Sequence, residues 1–314
     1  MPILNHPADA VLYAPDIPRS YEPERDGWDS RAPLTVSLLL HAPRYLDPAP
    51  PGTFEPLAMQ GGVGRETGEP KPGQVARLSQ WDFGLTTGIF RLLDIAERHG
   101  VAAAVALDAH AAALPGLGAA LGMRAGEIVA RGAAANSVLD PRMDEDAERA
   151  YITTSLAAVE EATGRKVTGW FSPERTSTPR TTSLLAAEGV EWFGDWTLDE
   201  VPVPLQGSAG GLTALPFSLE TEDMFALYSR GLPFEEYEGL LEDTVDQLVA
   251  DARTCGNRFL GLSWFGWVLG QACFADVAET VLGRLAVHPD VVFALPGSAA
   301  AAGGGPAGEN TPRP

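Results

Sequence analysis

Five short stretches carry side chains whose types and spacing could do chemistry. In "EIVARGAAANSVLD", residues 127–140, an apolar run ends on Arg131 and Gly132 and then a loop of small residues. A strand that empties into such a loop is a common address for binding groups in α/β proteins. Arginine cannot act as a base there, but its guanidinium can hold a carboxylate, phosphate or enolate oxygen. "GWFSPERTSTPRT" puts Glu174 and Arg175 after Pro173 at the end of another apolar run, so a carboxylate lies beside a guanidinium that can tune its pKa for acid/base work. "GDW" places Asp195 at the end of the next run, where it could orient one of these groups. His41 closes the run "LTVSLLLH", and its ordinary pKa suits proton transfer near neutrality. In "SLETEDM", strand alternation points Glu220 or Asp223 inward.

Each group also has a structural reading, and the sequence leaves both open. Glu174 and Arg175 could be a solvated ion pair beside a helix cap at Ser177 or Thr178. Asp195 could satisfy backbone donors, His41 could be a satisfied structural residue, and Arg131 could be paired with Asp195 or Glu174. Trp81, Trp170, Trp192, Trp196, Trp264 and Trp267 all fall at or beside strand ends. They could wall a flat aromatic pocket at a rim or simply plug a core.

The elements that must position these groups follow a repeated rhythm. "LTVSLLL" reads as a buried, parallel strand, and the Pro- and Gly-dense stretch after it as a long loop that is functional or disordered. Helices and strands then alternate: "TTGIFRLLDIAERHG" and "VAAAVAL", the 127–130 run, "DEDAERAYITTSLAAVEEATG" and "KVTGWF", "TPRTTSLLAAEG" and "VEWFGDW", "LTALPFSL", a long helix from Pro233 and "FLGLSWFGW", then "FADVAETVLGRLAVHP" and "VVFALPG". Six or seven strands in this order predict one α/β barrel or doubly wound sheet. Residues 1–30 read as an extended arm, 31–297 as the folded unit and 298–314 as a disordered tail. The 314 residues carry a net charge of -20, which disfavours nucleic acid and anionic membranes as partners. Two cysteines exclude a disulfide framework and a cysteine-rich zinc site. No run of about 18 apolar residues and no basic leader stands out, so the cytoplasm is the expected location. G-x-S-x-G, G-x-G-x-x-G, P-loop and H-E-x-x-H patterns are not found, and "GGVGRETG" reads as a flexible loop.

From Trp81 onward the order of "WDFGLTTGIFRLLDIAERHGV", "EIVARG", "DEDAERAYI", "ATGRKVTGWFSPERTSTPRTTSLLAAEGVEWFGDW", "VPVPL", "LTALPFSLETEDM" and "VLGQACF" resembles the polysaccharide deacetylase (NodB-homology) superfamily, in its allantoinase-like branch. The resemblance covers roughly residues 30–297. It implies an α/β fold, a distorted (β/α)7 barrel with its site at the strands' C-terminal mouth. It also implies acyl hydrolysis and self-association into a homo-oligomer. The chain departs from the family's pattern where the chemistry should be. His41, Ala42, Pro43 and Arg44 stand where an acidic pair is expected, Arg131 where a histidine precedes glycine, Phe265 at a late histidine and Thr86 at an arginine.

A divalent hydrolytic site needs two or three converging His or carboxylate ligands, so neither metal nor cofactor is expected. The expected protein is a metal-independent enzyme acting on a small, partly planar molecule, with cleavage or closure of an acyl C–N or C–O bond. His41, Glu174 and Asp195 are its candidate catalytic residues. Arg131, Arg175, Trp81, Trp170, Trp196, Trp264, Phe265 and Glu220 are its candidate substrate-binding residues. A tailoring enzyme that cyclises or rearranges its substrate and a non-catalytic ligand-binding relative remain open alternatives.

Overall fold

A computed structural model describes residues 28, 30–53, 75–205 and 211–303. Its organising strand is β1 (Leu34–Ala42), buried at every position. Such a run is apolar throughout because both faces of a parallel strand are covered. Val36, Leu38 and Leu40 face the helices, whereas Leu39 faces the barrel interior. Strand alternation therefore aims His41 inward. The other strands are β2 (Ala103–Leu107), β3 (Glu127–Ala130), β4 (Gly169–Trp170), β5 (Trp192–Phe193), β6 (Val203–Pro204), β7 (Thr213–Ala214), β8 (Arg258–Phe265) and β9 (Val291–Phe293). They form one curled sheet in the order β6-β7-β5-β4-β3-β2-β1-β8, with β9 added to β1. Only β6 runs antiparallel, on β7. Apart from β6 and the short β9, seven parallel strands remain, which is the expected distorted, open (β/α) barrel.

β8 pairs with β1 from Leu34 to His41, so β1 has one edge left. β9 takes the lower part of that edge, at Leu34–Val36, and β2 the upper part, at Leu38–Ala42. The register sets His41 beside Phe265. Helices cover the outer face as predicted. Glu145–Thr163 begins on Asp144, whose carboxylate accepts the Ala147 amide at 2.8 Å, and stops at Gly164 in the left-handed region (φ 65°).

The barrel is solid below its mouth. Trp192, Phe171 and Phe217 fill it, and Cβ atoms at Gly169, Gly194 and Gly261 would lie 2.4, 2.6 and 2.4 Å from these rings. A second close approach joins the π-helical turn Gly84–Gly88 to the loop after β8. A Cβ on Gly88 would lie 1.9 Å from the Gly266 carbonyl oxygen. Gly88→Ala is expected to cost about 3 kcal/mol, seen as a lower urea midpoint at unchanged slope, because backbone cannot yield as a side-chain tip can.

The expected disorder from residue 298 does not hold for 298–303. These residues belong to the helix Pro296–Gly303, whose Ala299 and Ala300 are buried. The Glu127 carboxylate ties its start to β3, accepting the Gly297 amide at 2.9 Å. Trp28, from the predicted arm, packs edge-on against Phe259. The rest of the arm up to residue 27, the "GGVGRETG" loop and residues 304–314 lie outside the described residues. Among the described residues, no helix is long and apolar enough to cross a membrane.

Candidate functional site at the barrel mouth

The C-terminal ends of β3, β4 and β8 meet at a cavity of about 250 Å³. Arg131 follows β3 and is 3 % exposed. Gly132 turns the chain away in the left-handed region (φ 73°), and the Tyr151 hydroxyl accepts the Ala133 amide at 2.9 Å. The next turns dock onto residues 44–46. The Ala135 amide donates to the Arg44 carbonyl at 2.9 Å, and Asn136 exchanges hydrogen bonds with Leu46. Tyr45 is thereby laid over the cavity.

Among the described residues Arg131 forms a single side-chain bond. Its Nε donates to His41 Nδ1 at 3.2 Å, while Nη1 is buried and has no hydrogen-bond partner among the described residues. Among the described residues no carboxylate pairs with it, so the anticipated bridges to Asp195 or Glu174 are not what holds it. An acceptor at Nδ1 fixes the imidazole proton on Nε2, which donates to Ser263 Oγ at 2.7 Å. Ser263 Oγ lies 3.4 Å from Glu222 Oε2, which accepts Arg175 Nη2 at 2.9 Å. The two guanidiniums are thus joined through His41, Ser263 and Glu222.

His41 was expected to carry a proton, and this arrangement assigns it a different task. Burial first, then the charges of Arg131 and Arg175, push its pKa well below 6.5. It is sandwiched beside Phe265 (4.4 Å, 13° between planes) with Phe171 edge-on at 4.9 Å, and both ring nitrogens are engaged. It holds Arg131 rather than exchanging protons with a ligand.

Glu174 and Arg175 occupy a short 3₁₀ turn, and both have left-handed backbones (φ 51° and 54°). Non-glycine residues rarely adopt that conformation, and such strain is concentrated at functional sites. Glu174 is exposed at the cavity rim. Arg175 is mostly buried. It donates to the Phe217 carbonyl at 2.5 Å and lies 4.8 Å over Phe171, so Glu222 neutralises it inside the wall.

Asp195 is buried just behind this wall. Its Oδ1 accepts the Ser172 amide at 2.7 Å, and Oδ2 has no partner among the described residues. Burial raises its pKa to about 6 against the opposing pull of Ser172, Arg175 and Arg131. Phe265 lines the cavity, with the Arg131 guanidinium 5.3 Å over its ring.

The tryptophans do not line it. Trp170 and Trp264 sit between sheet and helices, donating Nε1 to Ser172 Oγ (2.8 Å) and to the Tyr237 hydroxyl (3.0 Å). Trp81 is packed with Tyr45 and Trp267, and Trp192 is in the barrel axis. Trp196 is half-buried, bonded to Ser177 Oγ at 2.9 Å and away from the cavity. Glu220 is corrected as well. It is exposed, pairs with Arg230 at 2.9 Å and faces a larger groove of about 850 Å³ beside the helix Phe234–Cys255. That groove is lined by residues beyond β7, Pro216 and Ser218, and by the start of β8, Phe259 and Leu260. In the same acidic stretch Glu222 is the residue that enters the site. Asp223 is buried elsewhere, accepting the amides of Met224, Phe265 and Leu269. Ser263 and Tyr45 were not anticipated. Ser263 was legible as the residue two before Phe265 on one strand.

The donor set does not fit a divalent metal. His41 presents one ring nitrogen to a guanidinium and the other to a hydroxyl, and a cation there would face Arg131. Among the described residues, no group of three His, Cys, Asp or Glu side chains converges. Thr86, at the position resembling a family arginine, is exposed and bonds locally to the Phe83 carbonyl.

Compared as a sequence, the chain matches no family model and no curated protein. Compared as a structure, it has the fold of polysaccharide deacetylases and of an allantoinase. Puue allantoinase superimposes with a TM-score of 0.76 at 18 % identity, covering 95 % of this chain and 97 % of that one. A probable polysaccharide deacetylase from Pseudomonas aeruginosa gives 0.73 at 21 % identity, with the same coverage. A protein from Mycobacterium smegmatis assigned as a polysaccharide deacetylase gives 0.72 at 19 %, over 88 % of this chain and 91 % of that one. At these identities the likeness is one of fold.

Proposed function

We propose that the chain is a hydrolase that cleaves an acyl C–N bond in a small molecule without a metal ion, using Arg131 to carry the charge at the acyl oxygen. One observation carries the reading: Arg131 lines the cavity, and its Nη1 is buried with no acceptor among the described residues. A buried, unsatisfied charged donor is costly, and a ligand oxygen relieves that cost. The deacetylases and the allantoinase that share the fold make acyl C–N hydrolysis the reaction class to which such a donor fits best.

In this reading the carbonyl oxygen of the substrate accepts from Arg131. Charge growing on that oxygen as water adds strengthens the bond in the transition state. Glu174, at the cavity rim, takes the proton from water and returns it to the leaving nitrogen, and Asp195, behind the wall, holds the Ser172 amide next to the turn that carries Glu174. The new C–O bond and the broken C–N bond give a carboxylic acid and an amine. His41 keeps Arg131 aimed, and Glu222 with Arg175 holds the wall.

The test is amine release from a panel of N-acyl compounds, repeated in the presence of a chelator. Turnover that survives chelation and fails in Arg131→Met supports the reading. Loss of turnover on chelation with recovery on adding zinc overturns the metal-free claim, and no amine from any compound overturns the hydrolase.

A further inference from the structure

We infer that the cavity is an acyl-group pocket for a compact aromatic monocarboxylic acid, held by its carboxylate at Arg131 and by its ring among Tyr45, Phe171, Met224, Phe225 and Phe265. The inference rests on the hydrolase reading and names its substrate class: N-acyl compounds whose acyl half is aromatic, such as N-benzoyl amines. Hydrolysis converts that half into a carboxylate in place, so the guanidinium that meets the acyl oxygen also meets the product.

The charge balance selects a monoanion. Arg175 is already matched by Glu222 at 2.9 Å, leaving Arg131 as the unmatched cation of the wall among the described residues. A second negative group on the ligand would face Glu222 or, at the rim, Glu174. Phosphate is disfavoured for the same reason, because it brings more charge and more acceptor oxygens than one free guanidinium edge can serve.

The walls select an apolar body. Tyr45, Phe171, Met224, Phe225 and Phe265 line the cavity, and Leu219 stands at the mouth. A sugar residue would leave hydroxyls against these rings without partners, each at a cost. The volume of about 250 Å³ lies just under the usual range for ligand sites, which suits a single ring with a carboxylate and not an oligomer. The amine half then projects past Glu174, an exposed residue at the rim.

Calorimetric titration of the full chain at pH 7.5 with benzoate, acetate, benzyl alcohol and inorganic phosphate tests this. Benzoate is expected to bind at least tenfold tighter than each of the others. Arg131→Met is expected to weaken benzoate at least tenfold, and Leu219→Glu, on the exposed rim, several-fold by repulsion with the fold intact. Acetate or phosphate binding as tightly as benzoate, or equal benzoate affinity in wild type and both variants, overturns the inference. Benzoate binding without amine release from any amide leaves the pocket assigned and removes the hydrolase. Faster release from N-acetyl than from N-benzoyl derivatives of one amine, with benzoate no tighter than acetate, removes the pocket and keeps the hydrolase.

Discussion

Asp195→Asn is expected to unfold at a higher temperature than the wild type at pH 8 and to lose part of its turnover. Burial lifts the Asp195 pKa from the ordinary 3.8 to about 6, so the folded chain favours the neutral acid. Stability from this preference is fully present below pH 4 and is lost as pH rises through 6. By pH 8 the whole difference has been given up, at most about 3 kcal/mol at 1.36 kcal/mol per unit. Asparagine is neutral at every pH and can still accept the Ser172 amide. The gain at pH 8 should therefore be about 1–3 kcal/mol and should nearly vanish at pH 4. In the wild type, kcat/KM should carry a limb near pH 6 from the ionisation of Asp195 beside the turn that holds Glu174, and that limb should disappear in the variant. Asp108 provides the control. It is also buried, with a pKa raised to about 7, but it caps a helix at Ala111 and accepts the Arg44 amide. Asp108→Asn should share the stability pattern and leave the limb near pH 6 in place. A limb that survives in Asp195→Asn takes the positioning role from this residue.

Much of the scaffold was legible because strand and helix periods differ and the chain obeys both. The alternating faces of "LTVSLLLH" and "FLGLSWF" put His41, Ser263 and Phe265 in the interior and Trp264 against the helices. Reading Trp264 and Phe265 as two walls of one pocket set that alternation aside. Tryptophans beside strand ends were expected at a rim, but large rings gain more from full burial, and glycines at 169, 194 and 261 leave room for rings inside the barrel. Strand lengths were less legible. "LTALPFSL" keeps only Thr213–Ala214 in the sheet, since Pro216 cannot donate to a ladder and the chain turns away toward Glu222.

At the site, the ends of the strands supplied Arg131, Glu174, Arg175, Asp195 and Phe265 as a group. The sequence could not supply the pairing. Arg175 to Glu222 and Arg131 to His41 link residues 47 and 90 positions apart. Glu220 and Glu222 have the same side-chain chemistry two positions apart. Only the path of the loop after β7 decides that Glu220 meets Arg230 in solvent while Glu222 meets Arg175 in the wall.

Arg131→Met should remove about 10²–10³-fold of kcat/KM, the usual cost of losing one donor at a developing oxyanion, while leaving the protein folded. Two opposing terms keep its stability near that of wild type. Removing a buried cation that no carboxylate pairs with among the described residues is favourable, since methionine fills similar volume without the desolvation cost. Against this, His41 Nδ1 loses its donor, which costs about 1–3 kcal/mol for a buried acceptor. Adding His41→Phe removes that orphan and continues the stack on Phe265, so the double variant should be more stable than Arg131→Met and equally inactive. Arg131→Lys keeps the charge but lacks the fork that bonds His41 and a ligand oxygen together, so its activity should fall between the two. Urea unfolding of the four proteins, with and without benzoate, reads both terms at once, because a ligand stabilises only the forms that bind it. Full turnover in Arg131→Met would mean that the acyl oxygen is held elsewhere, whatever the stability of the variant.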